Sequence, residues 1–316
     1  MFSAVIGALF NLGVIWEGNT LWSILVFRFL TGFFLAGIYP VGMKIAADHF
    51  EKGLGKSLGF LVGALVLGTA LPHLLKDVTS DIPWRFVLIL ISSLATLGGL
   101  LMFTLVPNGP YRKAGQKVDL SAFVKVFQNR QFRSSAFGYF GHMWELYTFW
   151  AFVPIILESY SLANPQLSYN IPITSFYVIG IGGIACAAGG YISQYFGVKR
   201  TAFLALLLSG ICCLLYPLMA TTSYYILFIA FLLFWGAVVI ADSPLFSTLV
   251  AQSASPELKG TALTIVNCIG FAITIISIQL INLLWENTHS NAIYMVLALG
   301  PVFGLVSIRY KASPII

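Results

Sequence analysis

The chain has 316 residues, of which 59% are hydrophobic and only 9% charged. An average soluble domain carries about 25% charged residues, so this composition excludes a soluble enzyme or a nucleic-acid-binding module and indicates an integral membrane protein. The net charge of +6 is explained by where the basic residues fall along the chain rather than by an acidic partner.

Apolar runs of helical length recur near residues 1–16, 21–47, 55–76, 85–106, 136–158, 172–196, 201–220, 224–250, 261–284 and 291–309. A bilayer core needs about 20 apolar residues per helix, so the pattern predicts an all-α membrane protein with ten transmembrane helices. No cleavable signal pattern is present. With the N-terminus placed in the cytoplasm, fourteen lysines and arginines fall on the cytoplasmic side and only Lys76 and Arg85 outside. This positive-inside bias predicts that both termini are cytoplasmic, in a bacterial inner membrane.

The second run contains Arg28, costly at about 2.5–3.5 kcal/mol or more within a bilayer. Gly32, Ala36 and Gly37 follow as a small-residue face, and Pro40 predicts a kink. The stretch 108–135 is basic. Leu120, Phe123 and Phe127 recur in it at helical spacing between charged residues, which predicts an amphipathic helix on the membrane surface. Three parts follow: an N-terminal bundle of four helices at 1–107, this linker at 108–135, and a six-helix bundle at 136–316. The cysteines Cys186, Cys212, Cys213 and Cys268 all lie in apolar runs and read as packing residues, with no metal site and no cofactor implied.

At an offset of 204 residues, Phe27, Gly32, Pro40, Ala47 and Leu54 fall on Phe231, Gly236, Pro244, Ala251 and Leu258. Tandem halves of this kind mark secondary transporters with a solute site near the midplane. Segments five and six have no counterpart in the first half. Their equivalents would need roughly 65 residues before Met1 if the halves match.

These residues resemble the major facilitator superfamily. Arg28-x-x-Thr-Gly32-x-x-x-Ala36-Gly37 is similar to the family's fourth-helix motif. Gly190-Tyr-Ile-Ser-Gln-Tyr-Phe-Gly197-Val-Lys199-Arg200 is similar to its loop motif between helices eight and nine, but has Gln194 where aspartate is frequent. Gly59, Gly68 and Pro72 match the fifth-helix antiporter pattern only in part. The resemblance implies that the ten segments correspond to family helices three to twelve, with the first two helices lacking. It also implies a monomer.

Few ionisable residues lie well inside the apolar runs: Arg28, His142, Glu145 and Asp242. Intramembrane charges default to function, and the resemblance places these helices around a central cavity. His142 and Glu145, at i,i+3, share a helix face. Two readings are open: Glu145 exchanges a proton between the two sides with His142 as relay, or it forms a packing pair with His142 or Arg28. Arg28 either binds an anionic solute or sets the protonation of Glu145. Asp242 either takes part in transport or caps the helix interrupted at Pro244. Trp144, Tyr147, Trp150, Trp235 and Asn267 are candidates to line a solute path, or to pack between helices.

The expected function is therefore secondary transport of a small solute by alternating access, with proton coupling, in a lipid bilayer and without nucleic acid. No nucleophile–base pair or phosphate-binding loop points to an enzyme. The alternative is a membrane protein that does not transport, either a truncated product or a binding or sensing relative.

Overall fold

The computed structural model describes residues 1–50, 52–78, 82–112, 122–255 and 258–309, and every regular element among them is helical. Nine helical stretches there are long and apolar enough to cross a membrane. The first predicted segment is shorter than expected: α1 (Phe2–Gly13) has 12 residues, about 18 Å at 1.5 Å per residue. Its end has a local cause. The Asn19 side-chain amide donates to the carbonyls of Gly13 and Val14, at 2.9 and 3.0 Å, which satisfies groups that a further turn would have used.

The described residues divide into two compact units. The first comprises Met1–His49 with Leu75–Arg112, and the second Phe50–Leu74 with Lys113–Ile316.

In the first unit, α2 (Leu21–Leu35) opens on a reciprocal capping box between Thr20 and Ser23, which satisfies two backbone donors at the helix start. α3 (Ile38–His49) continues the same 29-residue apolar stretch. The interruption falls at Ala36–Gly37, ahead of the predicted Pro40. Proline has no N–H to give to the residue four before it, and its ring crowds that carbonyl. For Pro40 that residue is Ala36, so the helix opens one turn early. α1 packs on both α2 and α5 (Trp84–Leu105). Beyond α5 the chain folds back on α3, where the Tyr111 amide donates to the Asp48 carbonyl at 3.0 Å.

α4 (Leu54–Val78) carries Pro72 within it, and its residues to Leu74 belong to the second unit. Of the predicted surface helix, the structure describes a seven-residue α6 (Ala122–Gln128). Leu120, Lys113, Lys117 and the side chain of Phe123 lie outside the described residues, as does Lys311. Phe127 turns onto α7 and packs against Phe132, with ring centroids 5.2 Å apart.

α7 (Arg130–Ala163) begins six residues before the predicted apolar run. Asn129 caps it, accepting from the amides of Gln131 and Phe132, so residues 130–135, polar apart from Phe132, are part of the helix. α7 packs against α11 (Ser243–Ser253), α12 (Lys259–Thr288) and α13 (Leu299–Arg309). It meets α13 glycine on glycine: a Cβ on Gly141 would lie 2.3 Å from the Gly300 carbonyl oxygen, and one on Gly300 2.3 Å from that of Gly141. Backbones this close are a way to gain packing where no water drives helices together.

α8 (Ile171–Phe196), α9 (Val198–Ala220) and α10 (Tyr225–Ala241) complete the unit, with a 3₁₀ stretch Asn291–Ala298 leading into α13. α10 and α11 together form a second 29-residue stretch, Tyr225–Ser253. It begins 204 residues after Leu21, the offset read from the sequence. Each stretch is interrupted ahead of its proline, at Ala36–Gly37 three to four residues before Pro40 and at Asp242 two residues before Pro244.

Candidate functional site

Glu145 lies near the middle of α7 and is 1% exposed. Three donors converge on its carboxylate. The Trp235 indole Nε1 of α10 donates to Oε1 at 2.7 Å, the Cys213 thiol of α9 donates to Oε1 at 3.2 Å, and the Ser209 hydroxyl of α9 donates to Oε2 at 2.8 Å. Among the described residues no lysine or arginine pairs with it. The site is thus a buried carboxylate held by neutral donors from two neighbouring helices, which satisfy its oxygens without fixing a counter-charge.

His142 and Asp242 form the second cluster. His142 Nδ1 lies 2.8 Å from Asp242 Oδ1, with side chains 1% and 0% exposed. His142 Nε2 and Asp242 Oδ2 have no hydrogen-bond partner among the described residues. The predicted Glu145–His142 pairing is therefore not what the structure brings together. Residues at i,i+3 sit about 60° apart around a helix. His142 uses that angle to reach the break before α11, while Glu145 reaches α9 and α10. Asp242 likewise makes no side-chain capping bond to α11, although it occupies the N-cap position. Its carboxylate is turned toward His142 instead. The helix break gives it this place: α10 ends at Ala241 and α11 starts at Ser243, so Asp242 sits deep within the unit between two helix ends.

Two further polar groups of α7 are paired across to α12. Tyr139 donates its hydroxyl to Asn267 Oδ1 at 2.7 Å, and the Asn267 amide donates to the Leu263 carbonyl at 2.8 Å. Thr148 and Ser277 share a 2.7 Å hydrogen bond. Trp144 donates to the Val296 carbonyl at 3.2 Å. The Tyr147 ring packs against Trp150 and Phe271 at 5.2 and 5.3 Å. Trp150 is buried and its Nε1 has no hydrogen-bond partner among the described residues. Trp235 is fully buried and stacks obliquely on Phe149 at 4.4 Å.

Arg28 belongs to the first unit. Its Nη1 donates to Asn11 Oδ1 of α1 at 3.0 Å, and Asn11 Nδ2 donates on to Ser92 of α5 at 3.0 Å. Asn11 thereby joins three helices through one buried amide. In the loop motif, Gly197 stands between α8 and α9 with φ +84°, a conformation that side-chain-bearing residues rarely adopt. Gly190 lies against the Gly55 carbonyl of α4, 2.8 Å from where a Cβ would be. Lys199 and Arg200 are exposed in the first turn of α9.

Ser209, Cys213 and Asn11 were not among the predicted site residues. Cys213, a packing residue by sequence, is buried with Cys186 and Cys212, and it also donates to Glu145. Cys268 is exposed. Ser209 and Cys213 are four apart and so share one face of α9, the signal that could have found them. Among the described residues no group of three or more histidine, cysteine or acidic side chains could hold a metal ion.

The sequence profile described as Major Facilitator Superfamily matches residues 1–278. No curated protein matches the chain. Among solved structures, the fucose:proton symporter FucP of E. coli superposes with a TM-score of 0.70 at 14% identity, over 99% of this chain and 82% of that one. The human organic anion transporter MFSD10 (TETRAN) superposes with a TM-score of 0.75 at 16% identity, over 97% of this chain and 75% of that one. At these identities the likeness is one of fold.

Proposed function

Since the chain belongs to the Major Facilitator Superfamily, a family of multi-pass membrane transporters, we propose that it moves a small solute by alternating access and couples that movement to protons through Glu145 and the Asp242–His142 pair. The observation that carries this reading is the burial of two carboxylates, 1% and 0% exposed, near the middle of their membrane stretches without a lysine or arginine partner among the described residues. A carboxylate kept from water but not locked to a fixed cation can exist with or without its proton. His142 supplies a second proton-exchanging group in contact with Asp242. Arg28, joined to Asn11, belongs to the other bundle of the transporter and serves to hold α1, α2 and α5 together, with an anionic solute as its second role.

The topology follows the positive-inside rule. Lys44, Lys52, Lys56, Arg112, Lys125, Arg130, Arg133, Lys199, Arg200 and Lys259 face the cytoplasm, both termini are cytoplasmic, and the membrane is a bacterial inner membrane. The basic linker 108–135 joins the two bundles of a monomer.

The test is uptake into proteoliposomes holding the full chain, with an imposed proton gradient and a solute panel that starts from fucose and organic anions, the classes named for the two structural neighbours. Proton-driven accumulation should be lost in Glu145→Gln or Asp242→Asn while solute exchange at zero gradient persists. Accumulation unchanged in both variants would overturn the coupling role. Failure of every solute to move would favour a relative that does not transport.

A further inference from the structure

Ser209, Cys213 and Tyr216 follow one another along α9 at intervals of four and three residues, and so share one of its faces. The first two donate to Glu145. Tyr216 stands about one turn further on, toward the helix end at Ala220 and away from the basic turn of Lys199 and Arg200. Under the positive-inside topology that end is the outer one.

At this end α9 packs on the 3₁₀ stretch Asn291–Ala298. Side chains three apart in a 3₁₀ helix lie over one another, so Asn291 and Tyr294 stand on one face. Both meet Tyr216. Its hydroxyl donates to Asn291 Oδ1 at 3.3 Å, and its ring meets that of Tyr294 edge-on, with centroids 4.9 Å apart. Asn291 is half-buried, whereas Tyr216 and Tyr294 are buried. The polar groups of this seam run from a rim at Asn291, past two buried hydroxyls, to the Cys213 thiol that donates to Glu145 Oε1.

The Tyr294 hydroxyl has no hydrogen-bond partner among the described residues. Buried polar atoms are seldom left so, and ordered water is a common partner for those that find none in the protein. Tyr216 gives its own proton to Asn291, which leaves its oxygen lone pairs to accept from such a water.

We infer that this seam is the route by which protons reach Glu145 from the outer side. It rests on the coupling role proposed for Glu145, and it adds Tyr216 and Tyr294 as conducting residues with Asn291 as the positioning residue at the mouth. Each hydroxyl accepts a proton on its oxygen as it gives up its own. The Cys213 thiol proton passes to Glu145 Oε1 and is replaced from behind. The net change is one proton moved from outside water to the carboxylate, with the groups between unaltered. The other titratable side chains acting on Glu145 are Cys212, beside Cys213, and Asp242. Asp242 is paired with His142, one turn nearer the basic end along α7, and so stands apart from this route.

Infrared difference spectroscopy of the full chain in lipid nanodiscs tests this after a pH jump. The carboxylic acid band of Glu145 is assigned by its loss in Glu145→Gln. Tyr216→Phe and Tyr294→Phe keep the rings and remove the hydroxyls. Each should slow the appearance of the band by about 100-fold, the low end for a positioned proton-transfer group, and leave its final size unchanged. Cys213→Ala should also slow it, and Cys213→Ser, which restores a proton-bearing group, should recover most of the rate. Tyr160→Phe removes a buried hydroxyl that donates to the Thr222 carbonyl at the same end of the unit, and should leave the rate as it is. Circular dichroism checks that each variant is folded. The inference is overturned if either Tyr216→Phe or Tyr294→Phe protonates Glu145 as fast as the unaltered chain, or if Tyr160→Phe slows it as much, which would make the effect one of packing. A Glu145 band that never responds to pH in the unaltered chain would instead overturn the coupling role beneath it.

Discussion

The indole of Trp235 donates to the Glu145 carboxylate at 2.7 Å, across the contact between α10 and α7. The bond does two things at once. It satisfies a buried acceptor, and it fixes the orientation of a ring that packs on Phe149, Tyr216 and Phe231. Trp235→Phe keeps most of the ring volume and removes the donor. Cys213 still reaches the same oxygen at 3.2 Å, so the loss should be about 1–2 kcal/mol, toward the low end for a buried acceptor deprived of a partner. A lowered unfolding midpoint in mild detergent would show it. A midpoint equal to that of the unaltered protein would mean that the bond contributes nothing net.

The His142–Asp242 contact predicts strong non-additivity. Removing one member of a buried polar pair leaves the other desolvated without its partner, at a cost of about 1–3 kcal/mol or more, whereas replacing both by apolar groups is often close to neutral. His142→Phe and Asp242→Leu should each destabilise severely, and the double variant less than the two singles added together. Unfolding measured on all four proteins gives the coupling. Single effects that add to within about 0.5 kcal/mol would show that the two residues act independently.

The helices could be read from the sequence because their signal is length and apolarity, which survive in one dimension. Boundaries were missed where that signal fails. Residues 130–135 are polar apart from Phe132 yet helical, capped by Asn129, and α2 stops at Leu35 because a proline acts on the carbonyl four residues before it. The titratable members of the site were legible for the same reason, since charge stands out in an apolar run. Their partners were not. Ser209 and Cys213 look like ordinary small residues of a membrane helix, and only the rotation of α9 against α7 makes them donors to Glu145. The pairing of His142 with Asp242 depends on the same kind of rotation, which helical spacing along one strand of sequence does not carry.

Gly197 separates backbone strain from steric conflict. Its φ of +84° and ψ of 142° lie in a region that residues with a Cβ reach only at a cost of about 1–3 kcal/mol, and a Cβ there would meet no heavy atom within 4 Å. Gly197→Ala should therefore lower stability by about that amount through the backbone alone. Gly98→Ala, in open space within α5, serves as the control. It should be neutral or slightly stabilising, since alanine favours helix over glycine by about 1 kcal/mol. Thermal unfolding of both proteins decides the matter, and a Gly197→Ala variant as stable as the control would contradict the strain argument.

Gly32 and Gly236 occupy the same position in the internal repeat, 204 residues apart, but their surroundings differ. A Cβ on Gly236 would lie 2.0 Å from the Val178 carbonyl oxygen of α8, whereas one on Gly32 would meet no heavy atom within 4 Å. The first contact is with backbone, which cannot turn aside as a side chain can, so Gly236→Ala must push α10 away from α8. Overpacking of this kind costs about 1–3 kcal/mol and sometimes more. Moving α10 would also carry Trp235 with it and loosen the bond to Glu145, adding to the loss. Gly32→Ala should instead gain a few tenths to about 1 kcal/mol from helix propensity. Unfolding midpoints of the two variants, measured side by side, should therefore shift in opposite directions. Equal losses would mean that Gly32 is needed for a close approach of its own, and that the two halves keep this glycine for one shared reason rather than two.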